Sequence, residues 1–430
     1  MSLFHEIIAK DNIIQAYLEL NTNLYNKLKA KKYRGLDGVK LQDLNIKAEE
    51  LITSCQQELQ DNQELSPVNC AYIPKKNGKL RDIYIYNLKD RLKAQAIFRV
   101  LEPIFEKIYS PFLFSYRSSH PSYYAARSVA RRYQRYYQED QVGVIDVSNY
   151  FYDIDHDLLI EKLEKLNLDK QTLELLISFI KIKIYKDRKL YRNTIGTPAG
   201  LPLSILFGNL YLNELDFNIG KRVALYRRVG DDLIMFDKDK EKLQQVFQDA
   251  QKQITQLKLK SHPIKSRIIP AHESFNFLGY NFNQGIISLP RKYEEKLIDK
   301  WSKEFLNNPP KNWRHKTKAL KEKIYSPEKL DNFNKRLLQI ISQKILVNNQ
   351  QQLKTINQKL LKIITKYFFH KYSPQKQRAL NKIINQWQLP SIAQYYVNLQ
   401  NGKNTIKKLA LSTGQTKQSS SGVKIRKKQN

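Results

Sequence analysis

Three aspartates are the residues whose types and spacing most directly indicate chemistry in this sequence. Asp231 and Asp232 are adjacent in YRRVGDDLIMF, and Asp146 ends the apolar run VGVID. Adjacent carboxylates repel each other, so a cation is expected beside them. Carboxylates from two neighbouring strands can converge on two Mg²⁺ ions, which activate an attacking hydroxyl and stabilise a leaving oxygen in phosphoryl transfer. Considered singly, the motifs also fit a solvated Gly-Asp turn and an aspartate that caps a helix.

The elements that would position these carboxylates can be predicted from the surrounding pattern. Strand-forming residues on both sides of Gly230, Asp231 and Asp232 predict a tight hairpin with these three residues at its tip. QVGVIDV predicts a buried strand that delivers Asp146 at its end, before a helix begins. If the strand and the hairpin are neighbours, the three carboxylates meet at one site.

A second motif, AYIPKKNGKLRDIYIY, predicts a basic hairpin around Asn77 and Gly78. Period-two alternation places Lys79 and Arg81 on one face of the returning strand. Arg81 could grip a triphosphate through two parallel hydrogen bonds, and Lys79 would add a point charge. The alternative is a solvated hairpin tip.

A third motif, SYYAARSVARRYQRYYQ, carries a stripe of arginines along one face of a predicted helix. Arg127, Arg131 and Arg135 follow each other at intervals of four, and apolar residues occupy the opposite side. The stripe could follow a phosphate backbone while nearby tyrosines stack on bases. Surface solubility explains it equally well.

Composition indicates a polyanionic partner. The chain has 430 residues, 41% of them hydrophobic, which is enough for a sizeable core and several subdomains. Its 74 Lys and Arg against 41 Asp and Glu give a formal charge of +33, so nucleic acid is the expected partner and an anionic membrane the competing one. No apolar run approaches the roughly 18 residues that span a bilayer, and MSLFHEIIAK lacks a signal-peptide pattern. We therefore expect a cytoplasmic protein with no membrane partner.

Cysteine and histidine usage excludes several kinds of site. Cys55 and Cys70 are the two cysteines, and no CxxC motif or Cys/His cluster is present. This argues against a zinc ribbon, a zinc-dependent HNH nuclease and a disulfide framework. Isolated histidines such as His120 and His262 are more often structural or exposed than ligands.

In order, the motifs resemble those of a reverse transcriptase, most closely the bacterial group of group II intron maturases, retron enzymes and abortive-infection or defence-associated enzymes. RGLDGVKLQDL resembles the family's N-terminal Gly-x-Asp-Gly element, and the segment from IPKKNGKLRD to FLFSYR resembles its fingers block. VIDVSNYFYDIDHDLL is similar to the first palm carboxylate motif, and GTPAGLPLSILFGNLYLNELD to the glycine-containing motif that follows. RRVGDDLIMF corresponds to the YxDD hairpin, LKLKSHPIKSRII to the lysine-bearing palm segment and FNFLGY to the primer grip.

This resemblance implies the catalytic residues. Asp146, Asp231 and Asp232 would bind two Mg²⁺ ions, as the matching family residues do. Lys265 would protonate the departing pyrophosphate, which is reasonable chemistry for a positioned lysine.

The resemblance also implies how the nucleotide is bound. Lys79 and Arg81 would contact its triphosphate. Phe151 matches the bulky steric gate that excludes a ribose 2′-hydroxyl, which implies deoxynucleotides as substrates. Ala199 and Gly200 stand where the family usually has Gln-Gly, so an amide that contacts the sugar is missing.

A second departure affects the primer end. Val229-Gly230-Asp231-Asp232 replaces YxDD, which removes a tyrosine that helps to position the primer terminus. All three carboxylates are nevertheless intact, whereas an inactive relative would be expected to have lost one.

The implied nucleic-acid contacts lie outside the carboxylate site. Arg127, Arg131 and Arg135 are the candidates on the predicted helix, and Gly279 belongs to the primer-grip motif. Basic helices after residue 290 occupy the place of the thumb, where they would recognise an A-form-like hybrid by its shape.

The fold implied by the resemblance is α+β. It is a right-hand polymerase with fingers, a palm built from a ferredoxin-like antiparallel sheet plus helices, and a C-terminal helical thumb. The expected boundaries are an N-terminal helical extension at 1–60, fingers at 61–145, the palm with the catalytic site at 146–290, a basic helical thumb at 291–412 and a disordered basic tail at 413–430.

The implied function is RNA-directed DNA polymerisation from dNTPs on an RNA template, with a DNA product. No endonuclease module follows the thumb region, which favours a dedicated role in bacterial antiviral defence with a structured non-coding RNA as template. A homo-oligomer or a partner protein would be compatible with this role. Two alternatives are a maturase-like RNA-binding protein with a vestigial polymerase site and a template-independent or protein-primed DNA polymerase.

Overall fold

The computed structural model divides the chain into two compact units, Met1–Glu273 and Ser274–Asn430. The residues that it describes are 2–25, 35–39, 47–74, 78, 80–306, 346–349, 351–352, 355–356, 358–359, 362–363, 373–375 and 378.

The helices of the described residues are α1 Leu3–Ile8, α2 Lys10–Tyr25, α3 Ala48–Gln60, α4 Leu88–Ile108, α5 Ser122–Tyr136, α6 His156–Glu164, α7 Lys170–Ile180, α8 Pro202–Tyr211, α9 Asn213–Gly220, α10 Lys240–Gln256 and α11 Arg291–Leu306. The strands are β1 Val68–Pro74, β2 Leu80–Ile85, β3 Gln141–Ser148, β4 Ile184–Lys186, β5 Lys189–Tyr191, β6 Leu225–Val229, β7 Asp232–Asp237, β8 Lys260–Ser261, β9 Arg267–Pro270, β10 Phe275–Phe277, β11 Tyr280–Asn283 and β12 Ile286–Ser288.

The larger sheet of the first unit is antiparallel and has the strand order β6-β7-β3-β8, with β9 also paired to β3. Residues 233–236 of β7 are all buried, and α10 packs against β3 and β7. The alternating residues Ile145 and Val147 of β3 are also buried in the core. The mixed helices and antiparallel sheet agree with the expected α+β class.

A smaller sheet has the order β2-β1-β4-β5, in which β1 is antiparallel to β2 and parallel to β4. Pairing of β1 with β2 ends at Pro74 and Leu80. Gly78 has a positive φ of 78°, as a turn glycine can. Residues 75–77 and 79 lie outside the described residues, so the two-residue turn at Asn77-Gly78 stays a prediction.

Aspartates fix the starts of several helices next to these sheets. The side chains of Asp155, Asp169 and Asp239 accept hydrogen bonds from backbone amides three residues later, at 3.0 Å in each case. Each bond satisfies an amide that has no partner within its helix, which is typically worth about 1 kcal/mol. The starts of α6, α7 and α10 are therefore encoded locally.

The N-terminal helices share a core with α4, whose buried face includes Leu92, Ile97, Leu101 and Phe105. Helices α1, α2 and α3 each pack against α4. The prediction of helices in residues 1–60 therefore agrees with the described part of this region.

The second unit begins with the three-stranded antiparallel sheet β10-β11-β12. The rings of Phe275 and Phe282 stack with their centroids 4.7 Å apart. The unit boundary at Glu273 lies inside the segment predicted as palm, and the division into fingers, palm and thumb stays a prediction. Most of the predicted thumb and the whole tail at 413–430 lie outside the described residues. No helix among the described residues is long and apolar enough to cross a bilayer.

Candidate active site

Two of the predicted carboxylates face each other across the central sheet. In the antiparallel register of β3 and β7, Asp146 is the direct partner of Asp232. Directly opposed residues in an antiparallel pair project their side chains to the same face of the sheet. The strand that carries Asp146 and the hairpin with the adjacent pair are therefore neighbours, as the sequence predicted, although β3 continues past Asp146 to Ser148.

The hairpin turn is shorter than expected. Val229 pairs with Asp232, so the turn consists of Gly230 and Asp231, and Asp232 is the first residue of β7 rather than part of the tip. Gly230 has φ +66° and Asp231 does not have a positive φ, which is the pattern of a type II′ turn. Asp231 therefore lies in the turn, while Asp232 lies in the sheet.

The carboxylates raise each other's affinity for protons. Burial, together with the charges of Asp231 and Asp146, raises the pKa of Asp232 to about 6. Partial desolvation and the Asp146 charge also raise the pKa of Asp231, whose own backbone amide opposes the shift. The site thus concentrates negative charge that a cation would relieve.

A lysine already provides one positive charge there. The ammonium Nζ of Lys265 lies 2.7 Å from Oδ2 of Asp146, and the lysine side chain is 58% exposed. The backbone amide of His262 donates to the carbonyl of Asp146 at 2.7 Å, and the His262 ring accepts from the amides of Ile264 and Lys265. His262 therefore shapes the turn that brings Lys265 to Asp146, a structural role for an isolated histidine.

A cleft of about 650 Å³ opens beside the carboxylates. Its lining includes Asp146, Asp231 and Lys265, together with Arg81, Phe151 and Ala199. Asp232 stands beside Asp146 in the sheet rather than on the cleft wall. Lys79, predicted to act with Arg81, lies outside the described residues.

The loop that carries Ala199 is held near the smaller sheet. Gly200 has φ +124°, and a Cβ there would lie 3.4 Å from the carbonyl oxygen of Tyr84. The hydroxyl of Tyr86 donates to the carbonyl of Pro198 at 2.6 Å. The structure thus brings Arg81, Phe151 and Ala199 to one cleft with Asp146 and Asp231, while their roles stay predictions. Gly200 follows Ala199 directly in the chain.

Comparison with known proteins now identifies the type of domain. Residues 73–282 match the family described as reverse transcriptase (RNA-dependent DNA polymerase). The chain carries a reverse transcriptase domain. The matched segment contains β3, the β6–β7 hairpin and the whole lining of the cleft.

Several curated relatives match part of the chain. The chain is 31% identical over 192 residues to Protein YkfC of Escherichia coli (strain K12), which is 44% of this chain and 50% of that protein. It is 30% identical over 173 residues to Group II intron-encoded protein LtrA of Lactococcus lactis subsp. cremoris, which is 39% of this chain and 28% of that protein. It is also 25% identical over 197 residues to the Putative COX1/OXI3 intron 2 protein of Saccharomyces cerevisiae, 45% of this chain and 22% of that protein. The chain therefore spans half or less of the length of these relatives.

Reverse transcriptase domains generally use divalent metal ions such as Mg²⁺. Carboxylate oxygens are the type of ligand that this ion binds. No described side chain donates a hydrogen bond to Asp231 or Asp232, so their oxygens remain available to a cation. Among the described residues, however, no group of three acidic, histidine or cysteine side chains is placed so that it could hold a metal ion. Mg²⁺ is commonly bound through one or two carboxylates, with water and substrate oxygens as its other ligands.

A buried ion pair supports the carboxylate turn of the reverse transcriptase domain, and sequence reasoning missed it. Arg228 and Asp216 are both fully buried, and two guanidinium nitrogens, Nε and Nη2, donate to the carboxylate at 2.7–2.9 Å. Nη1 of Arg228 also donates to the carbonyl of Gly230 at 3.2 Å. The signal lay in LYRRV, because period-two alternation puts Arg228 on the same buried face as Tyr226. An arginine on that face requires a buried acceptor.

A neighbouring loop holds the same turn from the other side. The hydroxyl of Ser115 accepts a hydrogen bond from the amide of Gly230. The backbone of Arg228 exchanges hydrogen bonds with Phe112 and Phe114 at 3.0 and 2.8 Å. Segment 112–115 therefore fixes the position of the Gly230–Asp231 turn.

The predicted arginine stripe lies on α5 of the reverse transcriptase domain. Arg131 and Arg135 are exposed and Arg127 is partly exposed, while Val129 and Tyr133 are buried on the other side. The stripe and the apolar face therefore lie as the sequence predicted, and nucleic-acid binding by the stripe stays a prediction.

Gly279, the predicted primer-grip residue, belongs to the second unit. It has φ +78° in the connection between β10 and β11, a conformation that favours glycine. A Cβ there would lie 3.6 Å from the ring of Tyr293. Its predicted contact with a primer stays a prediction.

Proposed function

We propose that this chain is an RNA-directed DNA polymerase that extends a primer with deoxynucleotides by two-metal phosphoryl transfer. The observation that carries the proposal is the register pairing of Asp146 with Asp232, with Asp231 in the adjoining turn on the wall of a cleft. The match of residues 73–282 to the reverse transcriptase family supports it.

The cleft residues suit the parts of a nucleotide. Arg81 offers a planar guanidinium to the phosphates, which it can bind through paired hydrogen bonds. Phe151 presents an aromatic ring where a sugar would lie, and a bulky ring there disfavours a 2′-hydroxyl. Lys265 holds a proton beside Asp146 at 2.7 Å and would donate it to the departing pyrophosphate.

Asp146, Asp231 and Asp232 would hold two Mg²⁺ ions. When bound, such ions activate the primer hydroxyl and stabilise the leaving oxygen. Burial, together with the neighbouring carboxylate charges, raises the pKa of Asp231 and Asp232, and a bound cation would stabilise their charged forms.

The template and product would be held by positive charge outside the cleft. The formal charge of +33 and the exposed arginines of α5 supply a sequence-independent attraction for phosphates. We further propose a structured non-coding RNA as the template and bacterial antiviral defence as the cellular role, by analogy with the bacterial reverse transcriptases that the motifs resemble. Homo-oligomers or partner proteins fit this role.

Primer extension tests the catalytic part of the proposal. The purified chain should extend a DNA primer on an RNA template with dNTPs and Mg²⁺. The Asp231→Asn/Asp232→Asn variant should lose primer extension. The control Asp249→Asn should retain it, because Asp249 is an exposed residue of α10 that pairs with Arg222. Extension that survives in the double variant would contradict the proposal.

A second candidate function is RNA binding without polymerisation, which the similarity to a group II intron-encoded protein favours. The same double variant separates the two functions in cells, because a pure RNA-binding protein would keep its biological effect. Sequencing the RNA and DNA that copurify with the chain tests the dedicated template. DNA that separates from the protein only after protease treatment would instead indicate protein priming.

A further inference from the structure

A glycine in the middle of α8 requires an explanation. Gly208 lies in PLSILFGNLY, and glycine in a helix interior costs about 1 kcal/mol relative to alanine. Gly208 does not have a positive φ, so the backbone conformation does not require it. The remaining reason is space.

The space belongs to the ring of Phe151. A Cβ on Gly208 would lie 2.7 Å from Cε1 and 3.1 Å from Cζ of Phe151. Carbon atoms attract each other best at about 3.5–4.0 Å, so an alanine methyl cannot fit while the ring stays in place. Phe151 therefore rests directly on the bare backbone of α8.

The backbone of Phe151 has little freedom to move away. Its carbonyl accepts from the amide of Thr197 at 2.8 Å. The preceding Tyr150 is buried, and its hydroxyl donates to the carbonyl of Gly208 itself. Asn149, at the start of this turn, has a left-handed φ of 49°. Since the backbone is held on both sides of the ring, a methyl on Gly208 must displace the ring rather than the chain.

The Phe151 ring can move towards the cleft, because Phe151 lines the cleft together with Arg81 and Ala199. We propose that Gly208 is a specificity-determining residue that sets how far the Phe151 ring projects into the sugar end of the cleft. This inference rests on the proposed function, in which Phe151 faces the sugar. Gly208→Ala advances the ring and tightens the exclusion of a 2′-hydroxyl.

Nucleotide selectivity is the first readout. The ratio of kcat/KM for a dNTP to kcat/KM for the rNTP of the same base should rise about tenfold in Gly208→Ala, which is the usual size for one added carbon in a pocket. Equilibrium binding of the same two nucleotides, measured by calorimetry, should change in the same direction. This second readout does not require turnover. A wild-type chain that extends no primer would contradict the proposed function, whereas an unchanged binding ratio in Gly208→Ala would contradict this inference.

A double-mutant cycle shows whether Gly208 acts through the ring. In the Phe151→Val background the ring is absent, so Gly208→Ala should leave both ratios unchanged. The unfolding temperature of Gly208→Ala/Phe151→Val should equal that of Phe151→Val, because the alanine methyl no longer meets a ring. An equal effect of Gly208→Ala with and without the ring would overturn the inference.

Gly220→Ala is the matched control for overpacking. Gly220 ends α9, and a Cβ there would overlap with the ring of Phe112. This variant should lower the unfolding temperature, and it should lower the rates with dNTP and rNTP alike because Phe112 helps to fix the Gly230–Asp231 turn. The dNTP to rNTP ratio should not change, because neither Gly220 nor Phe112 lines the cleft. If Gly220→Ala shifts the ratio as much as Gly208→Ala, general destabilisation explains the effect and the inference fails.

Discussion

The guanidinium of Arg228 and the carboxylate of Asp216 form an ion pair without solvent exposure, with 2.7 Å between Nη2 and Oδ2. Arg228 directly precedes the Val229–Asp232 hairpin and donates to the carbonyl of Gly230. The pair thus connects α9 to the turn that carries Asp231. Tyr226 completes it, because its hydroxyl donates to Asp216 at 2.8 Å.

Breaking this pair should be costly, because one charge would remain buried without a partner. We expect Asp216→Asn to lower the free energy of unfolding by about 3 kcal/mol or more. The exposed pair of Arg222 and Asp249, at 2.6 Å, is the control, and Asp249→Asn should cost less than about 1 kcal/mol. Urea unfolding of both variants measures the difference. Equal losses in the two variants would show that the buried pair does not stabilise the hairpin.

Stability should depend on pH through Asp232. Burial and the neighbouring carboxylates raise its pKa from 3.8 to about 6, so between these values the folded chain holds a proton that the unfolded chain releases. The free energy of unfolding should therefore fall as pH rises through this window, by about 3 kcal/mol at most. Asp232→Asn should remove the fall. Urea unfolding in metal-free buffer at several pH values measures it.

Asp237, at the other end of β7, provides a control of opposite sign. Burial favours its protonated form, but the hydrogen bond from Lys242 and two backbone amides lower its pKa overall. Its contribution to stability is therefore present above the unfolded pKa and is lost as pH falls. Asp237→Asn should destabilise the protein at neutral pH and leave the Asp232 effect in place. If Asp232→Asn keeps the wild-type pH profile, the raised pKa of Asp232 is not the cause of the pH dependence.

The arginine stripe on α5 should contribute to RNA affinity through phosphate contacts. Each of Arg127→Ala, Arg131→Ala and Arg135→Ala should reduce the slope of log affinity against log salt by up to about 1. Arg132 on the same helix is the control, because it already pairs with Asp140 at 2.6 Å. Arg132→Ala should affect stability more than the salt slope. Titrations of a labelled RNA at several salt concentrations distinguish these outcomes, and an unchanged slope in the stripe variants would exclude the stripe from the binding surface.

The carboxylate site could be predicted from the sequence because the strand patterns around the three aspartates are local. The alternation in QVGVIDV and the apolar run LIMF each indicate a strand, and the ordered motifs indicate that β3 and the hairpin are neighbours. The predicted hairpin tip is one residue too long, because two-residue and three-residue tips have similar local composition. Its actual length depends on the Val229–Asp232 pairing, which is a property of the folded sheet.

Contacts between distant residues could not be predicted in this way. Lys265 and Asp146 are 119 residues apart, and their ion pair forms because β3, β8 and the following turn are adjacent. The alternation in β6 indicates that Arg228 is buried. Its partner Asp216 lies on α9, so local pattern does not identify it. Likewise, the sequence shows a glycine at 208 without showing the Phe151 ring that requires it.

The central claim is that Asp146, Asp231 and Asp232 together bind two divalent ions at the cleft. Counting bound Mn²⁺ by electron paramagnetic resonance tests it most directly, in a complex with a primer-template that ends in a dideoxynucleotide and the next dNTP. The account predicts two ions per chain for the wild type and for Asp249→Asn, and fewer for Asp146→Asn and for Asp231→Asn/Asp232→Asn. An unchanged count of two ions in the carboxylate variants would contradict it.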